Sequence, residues 1–307
     1  MASLREIRRK IKSVKSTQQI TKAMKMVAAA RMRKAQAAIL SSRPFAVKLE
    51  RTVRKLAALE LAAGAGEGRD FESTHPYFRK PPESGRVALI LVTADKGLCG
   101  SFNTNVLRAG VQWLRARSDK RIAVSAVGRK GRDLVHRLAD ADLEHLSDVV
   151  GIFPKANFAH AELIAKPILE RFEEGGFDSV TVIFNEFRSA VSQRVVELPL
   201  LPIPRPEAVE ESEGDDEAGH PFGFRYEPGR EALLEALLPR YIKAQLFRVL
   251  LESQSAELAA RMNAMDAATK NAGEMIDALT LGLNRQRQTI ITGEIMEIVG
   301  GAEALAA

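Results

Sequence analysis

The sequence is poor in the residues that support disulfides, aromatic cores and membrane spans. Only one of its 307 residues is a cysteine, Cys99, so an intramolecular disulfide is excluded and a reducing compartment is expected. Aromatic residues make up 6% of the chain, which indicates helices packed mainly through Ala, Leu, Ile and Met. Apolar runs such as 87–92 are far too short to cross a bilayer, and the basic stretch 4–36 does not resemble a secretory signal.

Motifs of the common catalytic and metal sites are also missing. The sequence contains no phosphate-binding G-x-x-x-x-G-K-[ST] loop, no G-x-S-x-G nucleophile elbow and no H-E-x-x-H zinc motif. The five histidines show no metal-ligand spacing, and Cys99 is expected to be a small buried residue. The turn 128–131 (GRKG) joins a predicted strand to a predicted helix. Such a turn can hold a phosphate, but it is more often only a tight connection. We therefore expect no catalytic, cofactor-binding or metal-binding residue.

Positive charge is concentrated at one end of the chain. Residues 1–60 contain 16 Lys or Arg and 3 Asp or Glu, a balance of +13, whereas the other 247 residues sum to −7. This concentration favours an acidic partner, with a merely solvated basic face as the plain alternative. Nucleic acid is one candidate, but no aromatic residue precedes Phe45 to stack on bases. A membrane surface is another, but the apolar stripe is narrow and lacks Trp and Phe. A protein partner with acidic loops meets neither objection.

A long helix is predicted over residues 3–61. Its apolar positions follow a 3-4 spacing as far as Val14. The stripe is expected to resume in a shifted phase at Ile20, Met24 and Val27 and to continue through Met32, Ala35 and Ile39. This pattern indicates a narrow coiled-coil seam with a local break in register. A kink is expected at Pro44, because proline cannot donate the helical hydrogen bond.

A second long helix is predicted from about residue 230 almost to the end. Its seam positions follow a 4-3-4-3 spacing from Leu258 to Ile290, and no proline follows Pro239. An amphipathic helix of this length must bury its seam against a partner. The two helices flank a compact insert, so we expect them to pair as a long antiparallel coiled coil. An ordinary bundle is the alternative, but no further helices of matching length are predicted.

The insert alternates strands and helices, which predicts a small, mostly parallel, Rossmann-like α/β domain. The predicted strands are 86–94, 121–127, 179–187 and 191–200, and the predicted helices are about 101–118, 131–139 and 157–174. The predicted organisation is therefore a coiled-coil helix 1–61, a linker 62–85, an α/β domain 86–206, an acidic Pro/Gly-containing loop 207–229 and a coiled-coil helix 230–307.

Four segments in this order together resemble the gamma subunits of F-type ATP synthases, of the bacterial type. They are 7–36, which includes TQQITKAMKMVAA; 75–77, which is HPY; 93–103, which is TADKGLCGSFN; and 284–302, which includes RQTIITGEIME. Together they extend over the whole chain, and the last segment is the most specific. The cysteine pair of redox-controlled chloroplast gamma subunits is absent, so that form of regulation is not expected.

The resemblance implies a central rotor. In this family the coiled coil lies inside a hexamer of alternating alpha and beta subunits, and the beta subunits hold the catalytic nucleotide and magnesium sites. The α/β domain meets the epsilon subunit and the membrane ring of c subunits, whose proton-driven rotation turns gamma. The resemblance therefore implies a non-catalytic, cofactor-free subunit on the cytoplasmic face of the bacterial cell membrane, in contact with the membrane only through partners. The alternative function is that of a basic coiled-coil nucleic-acid-binding protein.

The resemblance also implies which residues contact partners. Met24 and Lys25 match the positions that face the lever loops of beta. The positions that match polar contacts between rotor and head are Arg261, Arg287, Gln288, Thr292 and Glu294. Each of these residues is also compatible with an ordinary surface or seam position. The Pro-rich, acidic stretch 199–221, which includes the acidic residues 207–217, is longer than the domain needs, and we hypothesise that it contacts the ring or epsilon and tunes ATPase inhibition.

Overall fold

The computed structural model describes residues 4–67, 75–78, 85–138, 143–153, 155–204, 226–227 and 229–306. The chain divides into two compact units. The terminal unit comprises residues 1–30 and 261–307, and the central unit comprises residues 31–260. The acidic stretch 207–217 lies outside the described residues, so its role stays a prediction.

The described residues form a mixed α/β fold. The helices are α1 (Leu4–Glu67), α2 (Phe102–Arg115), α3 (Arg129–Arg137), α4 (Phe158–Glu173) and α5 (Arg230–Ala306). The strands are β1 (Arg86–Val92), β2 (Arg121–Val127), β3 (Leu143–Val149), β4 (Ser179–Phe187) and β5 (Gln193–Leu201), and a single 3-10 turn spans Pro76–Phe78. Among the described helices, none is both long and apolar enough to cross a bilayer.

The five strands form one sheet in the order β3-β2-β1-β4-β5. The pairs β1–β2, β1–β4 and β2–β3 are parallel, and β4–β5 is antiparallel. Six of the seven residues of β1 are buried, as expected of a central strand covered on both faces. The prediction of a mostly parallel α/β domain is therefore confirmed.

The sequence missed one strand, β3. Its sequence, LEHLSDV, has no continuous apolar run, and every residue in it is exposed or only half-buried. The reason is its position, since β3 is an edge strand and pairs only with β2. An edge strand has less apolar area to bury, so the pattern that revealed the inner strands is absent here.

Helices cover both faces of the sheet in the central unit. On one face, buried residues of α2 and α3 such as Trp113 and Val135 join Leu89 and Val124 in one apolar cluster. On the other face, a larger cluster collects α1, α4 and α5 around the strands. Its members include Leu56, Ile90, Phe172, Val182 and Leu238. The central unit therefore has a core on each side of its sheet.

Helix α1 differs from the prediction at its C-terminal end. It continues to Glu67 and includes Gly64 and Gly66, so the predicted linker start at residue 62 is too early. Pro44 lies inside the helix, where Ser42 Oγ donates a hydrogen bond to the carbonyl oxygen of Ile39 at 3.0 Å. The helix therefore passes through the proline, and a kink at that point stays a prediction.

Candidate partner-binding surface

The turn between β2 and α3 was the single phosphate-binding candidate from the sequence, and its amides are already engaged. The Gly131 amide donates to Thr93 Oγ1 at 2.7 Å. Asp95 Oδ1 accepts from the amides of Arg129 at 3.1 Å and Gly151 at 2.9 Å. A carboxylate of the chain itself therefore occupies the place where an anion would bind at this helix N-terminus. The geometry favours the tight-connection interpretation.

The same loop contains the segment TADKGLCGSFN, which carried part of the family resemblance. Asn103 Oδ1 accepts a hydrogen bond from the Ala94 amide at 2.9 Å, which closes the loop after β1. Cys99 is 1% exposed and packs in a small cluster with Phe102. The prediction of a small buried cysteine is confirmed.

In the terminal unit the two ends of the chain pair through polar side chains. Lys25 Nζ lies 2.6 Å from Asp266 Oδ1, and the hydroxyls of Thr21 and Thr269 lie 2.8 Å apart. Gln18 Nε2 donates to the carbonyl oxygen of Thr269 at 3.4 Å. As residue numbers fall along α1, those of the contacts in α5 rise, so the two segments run antiparallel.

The seam of α1 does not change phase, contrary to the sequence prediction. Its less exposed positions within the terminal unit keep an unbroken 3-4 spacing: Leu4, Ile7, Ile11, Val14, Gln18, Thr21, Lys25 and Ala28. Ile20 and Val27, which were predicted in the seam, are 57% and 50% exposed. Polar residues can occupy the seam because each has a partner on α5. A prediction that looks only for apolar residues passes over them and selects exposed apolar residues such as Ile20 and Val27 in their place.

The predicted seam positions of α5 have low exposure, except for the last one. The positions with low exposure are Leu258, Met262, Met265, Thr269, Ala272, Ile276, Leu279, Leu283 and Gln286. Ile290 was predicted to follow them, but it is 41% exposed. All residues from Arg287 to Ala302 are exposed. The segment 287–302 is called the α5 tip below.

The structure separates the predicted partner-contact residues into two groups. Arg287, Gln288, Thr292 and Glu294 all lie on the exposed α5 tip, where a partner can reach them. Met24 and Arg261 are half-buried, and Lys25 pairs with Asp266 inside the terminal unit. No measurement on this chain tests any of these contacts, so all seven stay predictions.

The exposure of apolar residues next to these positions was missed by the sequence interpretation. On the α5 tip, Ile291, Ile295 and Ile298 recur at i, i+4 and i+7, and they are 42%, 54% and 72% exposed. On α1, Ile20, Met26 and Val27 are at least half exposed. The signal was available, since these residues fall outside a single continuous heptad seam. Clustered exposed apolar residues of this kind mark a surface that a partner covers.

Comparison with known proteins identifies the family of this chain. A family described as ATP synthase matches residues 3–305. The ATP synthase gamma chain of Anaeromyxobacter sp. (strain K) is 46% identical over 308 residues, which cover 99% of this chain and 100% of that one. The chain belongs to the ATP synthase gamma-chain family. The gamma chain of Elusimicrobium minutum (strain Pei191) agrees, with 44% identity over 99% of both chains.

Solved structures place the fold in the same family. A chain of the Tetrahymena thermophila mitochondrial ATP synthase central stalk and c-ring is 28% identical, with a TM-score of 0.58 over 81% of this chain and 99% of that chain. A chain of the Euglena gracilis enzyme, at 19% identity and a TM-score of 0.63 over 98% of this chain and 94% of that one, shares the fold. The gamma chain is the rotor subunit of ATP synthase, so the predicted rotor role is confirmed and the nucleic-acid alternative is not supported.

Proposed function

We propose that this chain is the non-catalytic central rotor subunit of a bacterial ATP synthase. Its terminal unit turns inside a head of alternating alpha and beta subunits, and its central unit meets epsilon and the c-ring at the cytoplasmic face of the membrane. The observation that carries this proposal is the α5 tip, a helical segment of 16 exposed residues in which Ile291, Ile295 and Ile298 share one face.

The pairing of the two ends supports a coiled-coil rotor. Both segments of the terminal unit keep a 3-4 spacing of less exposed residues, the periodicity that two helices need to keep one seam in contact. Three side-chain contacts, centred on Thr269 and Asp266, fix their antiparallel direction. A rotor needs such a fixed register, since a shaft transmits torque only if its two helices do not slip past each other.

The α5 tip has the composition that a rotating contact requires. Its isoleucines would be costly to leave in water, so an apolar sleeve on the partner is expected around them. Its polar residues, chiefly Arg287, Gln288 and Glu294, are exposed and available for contacts that break and re-form. Exchangeable contacts suit a shaft that turns, because strong permanent ones would hold it in one position.

The charge of α1 supports the same arrangement. Within residues 4–30 there are eight Lys or Arg and a single acid, Glu6, and seven of the cations are exposed. They are Arg5, Arg8, Arg9, Lys10, Lys12, Lys15 and Lys22. Acidic loops on the beta subunits would complement this surface and guide the insertion of the rotor.

Nucleotide chemistry is assigned to the partner subunits. The strand-to-helix turn that best resembles a phosphate site already binds Asp95. We therefore propose that the nucleotide and magnesium are held by alpha and beta, and that this chain acts on them through its changing contacts.

Reconstitution of the head tests the proposal. The chain is mixed with alpha and beta subunits from the same organism, and Mg-ATP hydrolysis is measured with the native chain and with Arg287→Ala/Gln288→Ala. We expect a loss of about tenfold in the substituted complex, equivalent to roughly 1.4 kcal/mol, the scale of one hydrogen bond to a charged group.

A matched control uses the same two residue types on α2, as Gln112→Ala/Arg115→Ala. Both residues are exposed in the central unit, so hydrolysis by the head should be unchanged. If the two variants had equal hydrolysis activity, Arg287 and Gln288 of the α5 tip would not contribute to the contact with the head. Failure of the native chain to assemble, together with salt-dependent DNA binding, would overturn the rotor proposal itself.

A further inference from the structure

Two histidines and an aspartate meet at the sheet edge of the central unit. His136 Nε2 lies 3.0 Å from Asp148 Oδ2, and His145 Nε2 lies 2.9 Å from Asp148 Oδ1. One ligand atom from each of the three residues falls within 4.8 Å of the others. The two imidazole rings have centroids 5.3 Å apart. Nothing in the sequence spacing indicated this arrangement, and the rotor role does not use it.

A β-bulge brings His145 and Asp148 to the same face. Residues three apart on a regular strand point to opposite faces. Here Val124 of β2 pairs with His145, and the next residue, Ser125, pairs with Ser147, so β3 carries one extra residue between them. The bulge restores His145 and Asp148 to one side, and such re-aiming of a side chain is a recurrent use of bulges at functional edges.

Helix α3 supplies the third group. Val124 belongs to the apolar cluster that α3 joins through Val135, so α3 covers the face to which His145 and Asp148 point. His136 lies in the last turn of α3 and reaches Asp148 from there. A hydroxyl pair, Ser125 Oγ and Ser147 Oγ at 2.6 Å, ties β3 to β2 beside the cluster. The three groups are thus held by a helix end and a pinned edge strand.

We propose that His136, His145 and Asp148 bind one divalent late transition-metal ion, of which Zn²⁺ is the representative. Imidazole nitrogen and carboxylate oxygen are ordinary ligands of Zn²⁺, whereas Mg²⁺ and Ca²⁺ prefer sites made of oxygen alone. Three protein ligands leave at least one coordination position for water. The side chains of His136 and His145 are 58% and 41% exposed, which gives an ion a path from solvent.

The bound ion cross-links α3 to the edge strand β3. Without it, His136 Nε2 donates a hydrogen bond to Asp148 Oδ2 at 3.0 Å, and His145 Nε2 lies 2.9 Å from Asp148 Oδ1. With it, each imidazole presents a nitrogen lone pair to the ion in place of the proton. An ion that binds the folded chain better than the unfolded chain raises the unfolding temperature.

The test uses the 307-residue chain without a polyhistidine tag, first stripped with a chelator. Zn²⁺ is titrated against a chromophoric competitor, and Co²⁺ is added separately to record its d–d absorption. We expect one Zn²⁺ to bind per chain and to raise the unfolding temperature. In the separate experiment, we expect Co²⁺ to show the d–d absorption bands of a site with low symmetry. His136→Asn, His145→Asn and Asp148→Asn should each weaken Zn²⁺ binding by at least about tenfold, the lower limit seen even for residues that only support a ligand.

His160→Asn is the matched control, because His160 lies in the N-terminal turn of α4 and pairs with Asn157. It should leave stoichiometry and affinity unchanged. Asp148→Asn retains a hydrogen-bond acceptor for the imidazoles, so the folded structure should survive the substitution. Trp113 fluorescence monitors folding and thereby distinguishes loss of metal binding from loss of the fold. No saturable Zn²⁺ binding by the native chain, or binding that survives all three substitutions, would overturn the proposal.

Discussion

The central unit buries a continuous apolar core, whereas the terminal unit places polar side chains among the apolar ones of its seam and leaves other apolar side chains exposed. In the central unit, β1 places Val87 to Val92 at 3% exposure or less. In the terminal unit, the seam contains Gln18, Thr21 and Lys25, while Ile20 and Ile298 are 57% and 72% exposed. The central unit holds its own apolar core, whereas the terminal unit leaves apolar surface for a partner to cover.

The difference reflects what each unit has to do. A folded domain gains stability by removing apolar area from water, and the central unit does this with a core on each face of its sheet. In the proposed role, the terminal unit turns inside a sleeve and must keep its two helices in register without adhering permanently to the sleeve. Polar pairs in the seam give register, since each polar side chain needs a partner at a particular position on the facing helix.

One matched pair of substitutions gives the largest expected contrast. Ile90→Ala removes a side chain that is 0% exposed, and a loss of about 2–5 kcal/mol in the free energy of unfolding is expected. Ile298→Ala makes the same change at 72% exposure, where a change within about 0.5 kcal/mol is expected. Urea unfolding followed by the single tryptophan, Trp113, measures the first, and helical circular dichroism measures the second. Similar losses would show that the α5 tip is buried in the free chain.

A glycine pair sharpens the account of the central unit. Gly128 has φ of 86°, and an added Cβ would lie 2.1 Å from the Thr93 carbonyl oxygen. Gly128→Ala should cost about 3 kcal/mol or more, since backbone strain and a collision with the main chain combine. Gly151 has φ of 80° with no atom within 4 Å of the added Cβ, so Gly151→Ala should cost only about 1–2 kcal/mol of strain. Equal costs in urea unfolding would mean that the Thr93 contact contributes nothing.

The threonine pair tests whether the polar seam provides register more than stability. Thr21→Val or Thr269→Val alone leaves one hydroxyl without its 2.8 Å partner, and a loss of about 1 kcal/mol is expected. The double substitution replaces both groups by apolar ones of similar shape and should recover most of that loss. Thermal melts by circular dichroism of all four chains complete the cycle. A double variant that loses the sum of the two single losses would contradict this view.

The smallest effect is expected for a substitution in the ion pair between Lys25 and Asp266, because both side chains are partly exposed to solvent. The hydrogen bond from Lys25 lowers the pKa of Asp266 below its usual value of 3.8. The pair therefore stabilises the folded chain above about pH 3.8, and the contribution is lost as the pH falls through the lowered pKa. The difference in melting temperature between the native chain and Asp266→Asn should shrink as acid or salt is added. A difference that is constant from pH 7 to pH 2 would exclude the charge as its cause.

Sequence patterns revealed most of the central fold because its inner strands have a simple physical signature. β2 and β4 were predicted with the observed bounds, 121–127 and 179–187, since a strand buried on both faces must be apolar throughout. β3 escaped because an edge strand has no such requirement. The end of α1 was misplaced because Gly64 and Gly66 suggested a break, yet the helix continues through both.

The seam shows most directly what the sequence could not decide. Its apolar members were recognised, but Gln18, Thr21 and Lys25 were not, because a polar residue belongs in a seam only if a particular partner faces it. Those partners, Thr269 and Asp266, lie more than 240 residues away along the chain. The cluster of His136, His145 and Asp148 escaped for a related reason, since a bulge of one residue decides which face a strand residue occupies.

The sequence by itself determined the family, the two long helices and the parallel sheet, because apolar periodicity and local motifs are properties of short segments. Only the tertiary structure decided which residues of the helices face each other, which apolar residues stay exposed on the α5 tip, and which three polar side chains meet at the sheet edge. These outcomes depend on contacts between segments far apart in the chain, and no local pattern specifies them.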